Sequence, residues 1–193
     1  MILNVVGARP NFMKMAPVIH SLKKIGSPIT IVHTCQHYDS AMSADILREL
    51  QFPSPDYHLD AKGGSHASQT AKIMTAFEKV CAEINPSLVI VAGDVNSTLA
   101  CALVAAKLHI PVAHIEAGLR SFDRTMPEEV NRVLTDHISD LLFTFEKSGN
   151  TNLKKEGIDS SKVHFVGNCM IDSLKKFISI AGDSEPWKNY GFA

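Results

Sequence analysis

The chain has 193 residues, is 45% hydrophobic and carries a net charge of −1 with histidines neutral. That size and composition support one globular domain, or one and a fraction, with a sizeable core. The near-neutral charge gives no electrostatic reason to expect nucleic acid or an anionic membrane as partner, and no apolar run reaches the roughly 18 residues of a membrane-spanning helix.

Strand-like and helical segments alternate along the chain. Ile2–Val6 reads as a short apolar strand rather than a signal sequence, because it has no basic flank, so the cytoplasm is the expected compartment. Pro10 to Ile25 has helical periodicity, with Phe12, Met15, Ala16, Ile19 and Leu22 on one face. Pro17 within it predicts a local kink. Ile29–Thr34 is a second strand and Ser43–Leu50 a short helix. Phe52 to Gly64 reads as loop with a short strand. Ser65–Ile84 is a helix whose apolar stripe is Ile73, Phe77, Val80, Cys81 and Ile84.

Leu88–Ala92 is a continuous apolar strand, suited to the middle of a parallel sheet. Ser97–Leu108 is an Ala-rich helix and Val112–Ile115 the next strand. Pro127–Ile138 is a helix with Pro in its first turn. Leu141–Phe145, Ser148–Glu156 and Val163–Val166 continue the alternation, and Cys169–Ile180 is the last helix. The pattern predicts βαβ units in a doubly wound, Rossmann-like parallel α/β sheet. Residues 1–180 form the expected domain and 181–193 a connector. The tail carries Trp187, Tyr190 and Phe192. Clustered aromatics need something to pack on, so the chain is expected to be the N-terminal part of a longer protein.

Four carboxylates fall at or just beyond the ends of predicted strands: Asp94, Glu116, Glu128 and Glu129. Ligands of open α/β sheets bind outside the carboxyl ends of the strands. A buried apolar strand has no use for an acid at its tip, whereas a site that moves protons has several. Each has a plainer reading beside it. Asp94, Asn96 or Ser97 caps the following helix. Glu116 pairs with Arg120 on a surface loop. Glu128 and Glu129 complement a helix dipole, and as adjacent helical residues at most one of them faces a site.

The first strand ends in Gly7-Ala8-Arg9-Pro10-Asn11-Phe12-Met13-Lys14. A glycine turn at a helix N-terminus attracts anions. Arg9 and Lys14 are placed to face a phosphate there, with Arg9 as a merely solvated cation the alternative. Neither a dinucleotide fingerprint nor a P-loop is present. His33 and His37 have i, i+4 spacing but straddle a strand end. The cysteines Cys35, Cys81, Cys101 and Cys169 form no CxxC pair and read as reduced, mostly buried thiols. No metal site is expected.

Together these motifs resemble the non-hydrolysing UDP-N-acetylglucosamine 2-epimerases. The family's opening Gly-Thr-Arg-Pro-Glu-Ala-Ile-Lys-Met-Ala-Pro corresponds to Gly7–Pro17, and its Thr-Gly-Gln-His to Thr34-Cys35-Gln36-His37. Its Gly-Asp run matches Gly93–Thr98, its His-Ile-Glu-Ala-Gly-Leu-Arg matches His114–Arg120, and its Pro-Glu-Glu-x-Asn-Arg matches Pro127–Arg132. Gly167–Asp172 matches a late Gly-Asn-x-x-Ile-Asp. The resemblance implies the N-terminal half of a glycosyltransferase-B type two-domain fold. It implies an isomerase that converts UDP-N-acetylglucosamine to UDP-N-acetylmannosamine by eliminating and re-adding UDP through a 2-acetamidoglucal, without metal or nicotinamide. It implies catalytic roles for Asp94, Glu116 and Glu128, with Glu129 standing aside. Arg9, Lys14, Gln36 and His37 would bind the UDP-sugar, and the full-length protein would be a homodimer.

The chain departs from the pattern at Tyr38-Asp39, where many bacterial members have Arg-Glu, which puts activation by a second UDP-sugar in doubt. The Ser121–Met126 stretch fits a subclass that includes epimerases of diacetamido uronic acid nucleotides. A glycosyltransferase of the same architecture and a non-catalytic nucleotide-binding domain are the competing readings.

Overall fold

In a computed structural model of the chain, residues 1–35 and 47–183 are described. Gln36, His37, Trp187, Tyr190 and Phe192 lie outside them, as does most of the helix expected at Ser43–Leu50, of which 47–49 is helical. The elements run β1 (Ile2–Val6), α1 (Arg9–Lys24), β2 (Ile29–His33), β3 (Tyr57–His58), α2 (His66–Ile84), β4 (Leu88–Ala92) and α3 (Asn96–Lys107). They continue with β5 (Val112–Ile115), α4 (Pro127–Ile138), β6 (Leu141–Thr144), α5 (Lys147–Lys155), β7 (Val163–Phe165) and α6 (Cys169–Asp183). A short 3-10 turn at Ser160–Lys162 precedes β7, and α6 runs slightly beyond its expected end.

The strands form one seven-stranded sheet in the order β3-β2-β1-β4-β5-β6-β7. Every strand pair is parallel. This is the doubly wound arrangement, and its order reverses between β1 and β4. Side chains alternate between the two faces of each strand. Leu3, Val5, Val89, Val91 and Val112 pack with Ile73, Phe77 and Val80 of α2 and Ala100, Cys101 and Val104 of α3. Val6, Ile31, Ile90, Ala92, Ala113 and Ile115 pack on the other face with Phe12, Met15, Ala16 and Ile19 of α1. Full burial of an aromatic or branched side chain contributes about 1.5–3 kcal/mol. Phe77, Phe12 and Ile73 are therefore major anchors of the helices on the sheet.

The α1 face is thinly covered. Beside α1 and α6, Leu88, Ile90, Leu141 and Phe143 line an apolar hollow of about 370 Å³ that reaches Lys14 and Glu116.

Helix α1 runs from Arg9 to Lys24 with Pro17 inside it. Proline has no N–H for the carbonyl four residues earlier. The Met13 carbonyl accepts instead from the Ser173 hydroxyl at 2.7 Å, so the missing helical bond becomes the tie between α1 and α6.

Two glycines are dictated by close approach. A Cβ on Gly7 would sit 2.4 Å from the Ser97 hydroxyl, because the turn after β1 lies against the start of α3. Gly118 has φ +81, and a Cβ there would meet the Gly149 carbonyl oxygen at 2.6 Å, where α5 presses on the loop after β5. Gly157 has a similar φ of +80 but open space around it. Gly118→Ala should therefore lower the unfolding free energy by about 2–5 kcal/mol, combining left-handed strain with overpacking. Gly157→Ala should cost only about 1–2 kcal/mol. Urea titration of the two variants checks this, and equal losses would show that the contact with Gly149 is not tight.

Candidate functional site

The site begins at the switch point. The Asn11 side chain accepts from the backbone N–H of Ala8 at 2.9 Å and of Gly7 at 3.3 Å, and donates to the Ala92 carbonyl at 2.9 Å. One buried amide thus locks the turn after β1 to the end of β4. Arg9 is exposed at the start of α1, and Lys14 lies one turn further in. The Lys14 ammonium forms an ion pair with Glu116, both partly buried. Lys14 thus faces a carboxylate in this structure.

Asp94 follows β4. The capping explanation for it fails, since the N-cap of α3 is Val95 and no side chain caps the helix. Asp94 instead forms an ion pair with Arg132 of α4. Asn96 donates to Gln69 at 2.9 Å, Ser97 bonds the Thr34 hydroxyl at 2.6 Å, and Thr98 donates to the Ala92 carbonyl at 2.9 Å. Asn131 holds the Asp94 carbonyl at 2.9 Å. The whole run after β4 is tied into its surroundings.

Glu116 follows β5, the strand beside β4, in a left-handed conformation at φ 73. A non-glycine residue there stores about 1–3 kcal/mol of strain and persists only where neighbours over-determine it. The neighbours are visible. Arg120 does not pair with Glu116. It donates to Asp136 at 2.7 Å and grips Glu156 through two bonds of 2.7 and 2.6 Å. Asp136, fully buried on α4, also accepts from the Gly118 N–H at 3.0 Å and from His114 Nδ1 at 2.7 Å. His114 Nε2 faces the Gly93 carbonyl at 2.8 Å. Burial pushes the Asp136 carboxyl up, but the adjacent His114 and Arg120 outweigh it and hold the group below its ordinary 3.8. His114, Gly118 and Arg120 are thereby fixed to one acid, and Glu116 is left presented toward Lys14 and Gly93.

The two glutamates of α4 divide sharply. Glu128 is half-buried and lines a polar cavity with His66, Asn96 and Asn131. Glu129 is only 2% exposed. It accepts from Ser121 N–H at 2.9 Å, Ser121 hydroxyl at 3.0 Å and Phe122 N–H at 3.0 Å, and meets Arg132 at 3.3 Å. Burial raises its carboxyl, yet the bonds from Ser121 and Phe122 with Arg132 nearby bring it below its ordinary 4.5. Glu129 does stand aside from the cavity, but it is the clamp of the 121–122 loop rather than a dispensable acid.

Asp94, Glu116 and Glu128 thus lie along the carboxyl edge of β4 and β5 and the adjoining start of α4, with Lys14 and Arg132 beside them. Sequence reasoning missed Arg132 as the partner of Asp94 and Asp136 as the hub. A signal for the hub existed. Glu129 and Asp136 are seven apart, so both occupy one helical face, and a repeated acid on the core side of a helix calls for buried partners. Among the described residues, one group also has metal-ligating geometry: His33, Cys35 and His58. His37, weighed with His33 in the sequence, lies outside the described residues.

The fold and the set of acids and cations at its switch point define the Rossmann-like N-terminal half of a glycosyltransferase-B type protein. Residues 20–190 match the family model described as UDP-N-acetylglucosamine 2-epimerase. The chain belongs to the UDP-N-acetylglucosamine 2-epimerase family. It is 46% identical over 181 residues to the UDP-N-acetylglucosamine 2-epimerase of Methanocaldococcus jannaschii, covering 94% of this chain and 50% of that protein. It is 48% identical over 180 residues to the UDP-2,3-diacetamido-2,3-dideoxy-D-glucuronate 2-epimerase of Pseudomonas aeruginosa, covering 91% of this chain and 51% of that protein. The crystal structure of the M. jannaschii enzyme in complex with UDP-GlcNAc and UDP superposes with a TM-score of 0.94 at 45% identity, over 98% of this chain and 53% of that one. The chain spans about half the length of the curated relatives it matches.

Two outcomes follow from the buried acids. Asp136→Asn should cost about 3–5 kcal/mol of stability, because His114 and Arg120 lose the charge they surround. Asp136 is depressed in the folded state, so its contribution is present above 3.8 and is lost as pH falls through its lower folded value. The variant's stability should therefore fall less steeply than wild type below pH 3.8, as chemical denaturation across that range would reveal.

Glu129→Gln should cost about 1–3 kcal/mol, since a carboxylate gathering three bonds is replaced by an amide. Glu128→Gln should stay within about 0.5 kcal/mol of wild type. Similar losses in the two variants, read from urea midpoints, would contradict the division of labour on α4.

Proposed function

We propose that the complete polypeptide is a non-hydrolysing UDP-N-acetylglucosamine 2-epimerase, and that this chain supplies the acid–base half of its site. The observation that carries the reading is the gathering of Asp94, Glu116 and Glu128 at the switch-point edge, two of them ion-paired to Arg132 and Lys14. Inversion at a carbon next to the anomeric centre needs a base to take the C2 proton and an acid to return one to the opposite face. Carboxylates on both sides of a sugar ring provide them.

In the proposed reaction a carboxylate takes the C2 proton. The C2–H electrons form the C1=C2 bond, and the C1–O bond breaks with its electron pair leaving on UDP. Re-addition of UDP to C1 with protonation of C2 from the other face gives the epimer. Arg9, exposed at the N-terminus of α1, stabilises the leaving diphosphate together with the positive end of the helix. Lys14 holds the Glu116 carboxylate in place and adds positive charge on the same side. Gln36 and His37 contact the sugar nucleotide. Residues 1–180 act as the Rossmann-like domain and 181–193 as the connector to a second domain, without which the chain is inactive. The complete protein is read as a cytoplasmic homodimer.

The Pseudomonas relative and the Ser121–Met126 stretch favour a second substrate, a UDP-diacetamido uronic acid, turned over by the same C2 chemistry. Supplying both nucleotides to the complete protein separates the two. A glycosyltransferase would leave UDP-N-acetylglucosamine unchanged without an acceptor, and a reading frame with no second domain would favour a binding module.

The decisive experiment runs the complete protein in deuterium oxide. Product should carry deuterium at C2, and Asp94→Asn, Glu116→Gln or Glu128→Gln should each slow epimerisation by about 10²-fold or more. Product without deuterium at C2 would eliminate this mechanism.

A further inference from the structure

The group at the far end of the sheet from β7 has no part in the proposed epimerisation. His33 and His58 are the last residues of β2 and β3 and are direct register partners. Partners on neighbouring parallel strands project from the same face about 4.8 Å apart. Cys35 follows two residues after His33, and its left-handed backbone, φ 59, turns the thiol back onto both rings. The sulfur lies 3.4 Å from His33 Nδ1 and 3.7 Å from His58 Nδ1.

Those separations are informative. A tetrahedral zinc ion bonds sulfur at about 2.3 Å and imidazole nitrogen at about 2.0–2.1 Å, which sets sulfur and nitrogen about 3.6 Å apart. All three candidate donor atoms lie within 4.8 Å of one another. Cys35 and His33 are buried and His58 is exposed, so rotation of the His58 ring closes the remaining distance and gives an ion a path from solvent. Phe12 packs on the His33 ring at 5.3 Å and shields the inner side.

The backbone gives an independent reason to look here. Left-handed φ costs a non-glycine residue about 1–2 kcal/mol that glycine does not incur. A strained conformation that aims a thiol at two imidazoles is an outlier of the kind that marks a site.

We propose that His33, Cys35 and His58 form a zinc site of one thiolate and two imidazoles, which clamps the turn after β2 to the end of β3. On binding, the Cys35 thiol releases its proton to solvent as the sulfur–zinc bond forms, and the fourth position takes water. Thiolate with two imidazoles is a donor set suited to zinc rather than magnesium or calcium. The role is structural: the clamped turn carries Thr34, whose hydroxyl meets Ser97 at 2.6 Å and whose N–H donates to the Val6 carbonyl at 2.9 Å.

Cobalt(II) titration of the metal-free chain tests the site optically. Wild type should bind one equivalent, with a thiolate-to-cobalt charge-transfer band and the visible bands of tetrahedral cobalt, and zinc should displace both. Cys35→Gly suits the left-handed backbone and His58→Ala alters an exposed side chain, so both variants should fold, as circular dichroism will verify. Each should weaken cobalt binding by about 100-fold or more, since loss of a supporting group alone costs about 10–100-fold. Zinc should raise the melting temperature of wild type and leave that of Cys35→Gly unmoved. The proposal is overturned by the absence of saturable cobalt binding in wild type, by a spectrum without the thiolate band, or by undiminished binding in folded Cys35→Gly or His58→Ala.

Discussion

The buried Asp136 carboxylate is the interaction on which the site depends. It takes bonds from an imidazole, a backbone N–H and a guanidinium, all from the single segment His114–Arg120. A carboxylate this deeply buried is tolerable only when it is surrounded by donors and opposite charge. Its partners are in the same position, since Arg120 and His114 are equally withdrawn from water. The network is therefore shared: one carboxylate anchors three groups of the loop, and removing it takes an acceptor from all three at once. That shared anchor explains how a short loop with no regular structure is held firmly enough to carry Glu116 at a strained φ.

The same logic separates residues that support the site from the candidates they leave facing it. In the run from His114 to Arg120, His114 braces the end of β4 through the Gly93 carbonyl, Gly118 admits the backbone of α5, and Arg120 ties α4 to Glu156. Only Glu116 remains directed at the crevice. In the run from Pro127 to Arg132, Glu129 and Asn131 turn to the loop and to the Asp94 carbonyl, while Glu128 faces a cavity. In the first turn, Asn11 is the brace and Arg9 is exposed. Motifs that read as lists of candidate catalysts are, in three dimensions, one candidate each with its scaffolding.

Much of the architecture was legible because the periodicities are clean. Leu88–Ala92 and Val112–Ile115 are short apolar runs, α2 carries an apolar stripe, and Pro127 marks the start of α4, so those elements fell where the pattern placed them. The partner of the carbonyl that Pro17 leaves open was not legible, because it is a hydroxyl 156 positions after Pro17, at Ser173, and no window around Pro17 contains it. The partners of charged residues were illegible for the same reason. Arg120 is close in sequence to Glu116, yet it bonds Asp136 and Glu156, sixteen and thirty-six positions away. Glu129 and Glu128 look alike by composition, and only the position of the 121–122 loop decides which one is buried. The His33–Cys35–His58 group escapes spacing rules altogether, because strand register brings His58 to a residue 25 positions earlier.

The strain at Glu116 and the charge on Lys14 belong to one design. A carboxylate on a loop would ordinarily sample several rotamers and backbone states, and an acid or base is effective only when held in reach of the proton it moves. Here the backbone conformation of Glu116 is imposed from behind by Asp136, and the side chain is held from in front by Lys14, which α1 carries past Gly93. Gly93, at φ +70, leaves space for both groups, for a Cβ there would meet the Lys14 ammonium at 3.0 Å and the Glu116 carboxylate at 3.5 Å. The turns after β1, β4 and β5 thus meet at one point, which is where a doubly wound sheet opens its crevice. The fold places the acid, the buried network keeps it there, and the missing side chain of Gly93 makes room for its partner.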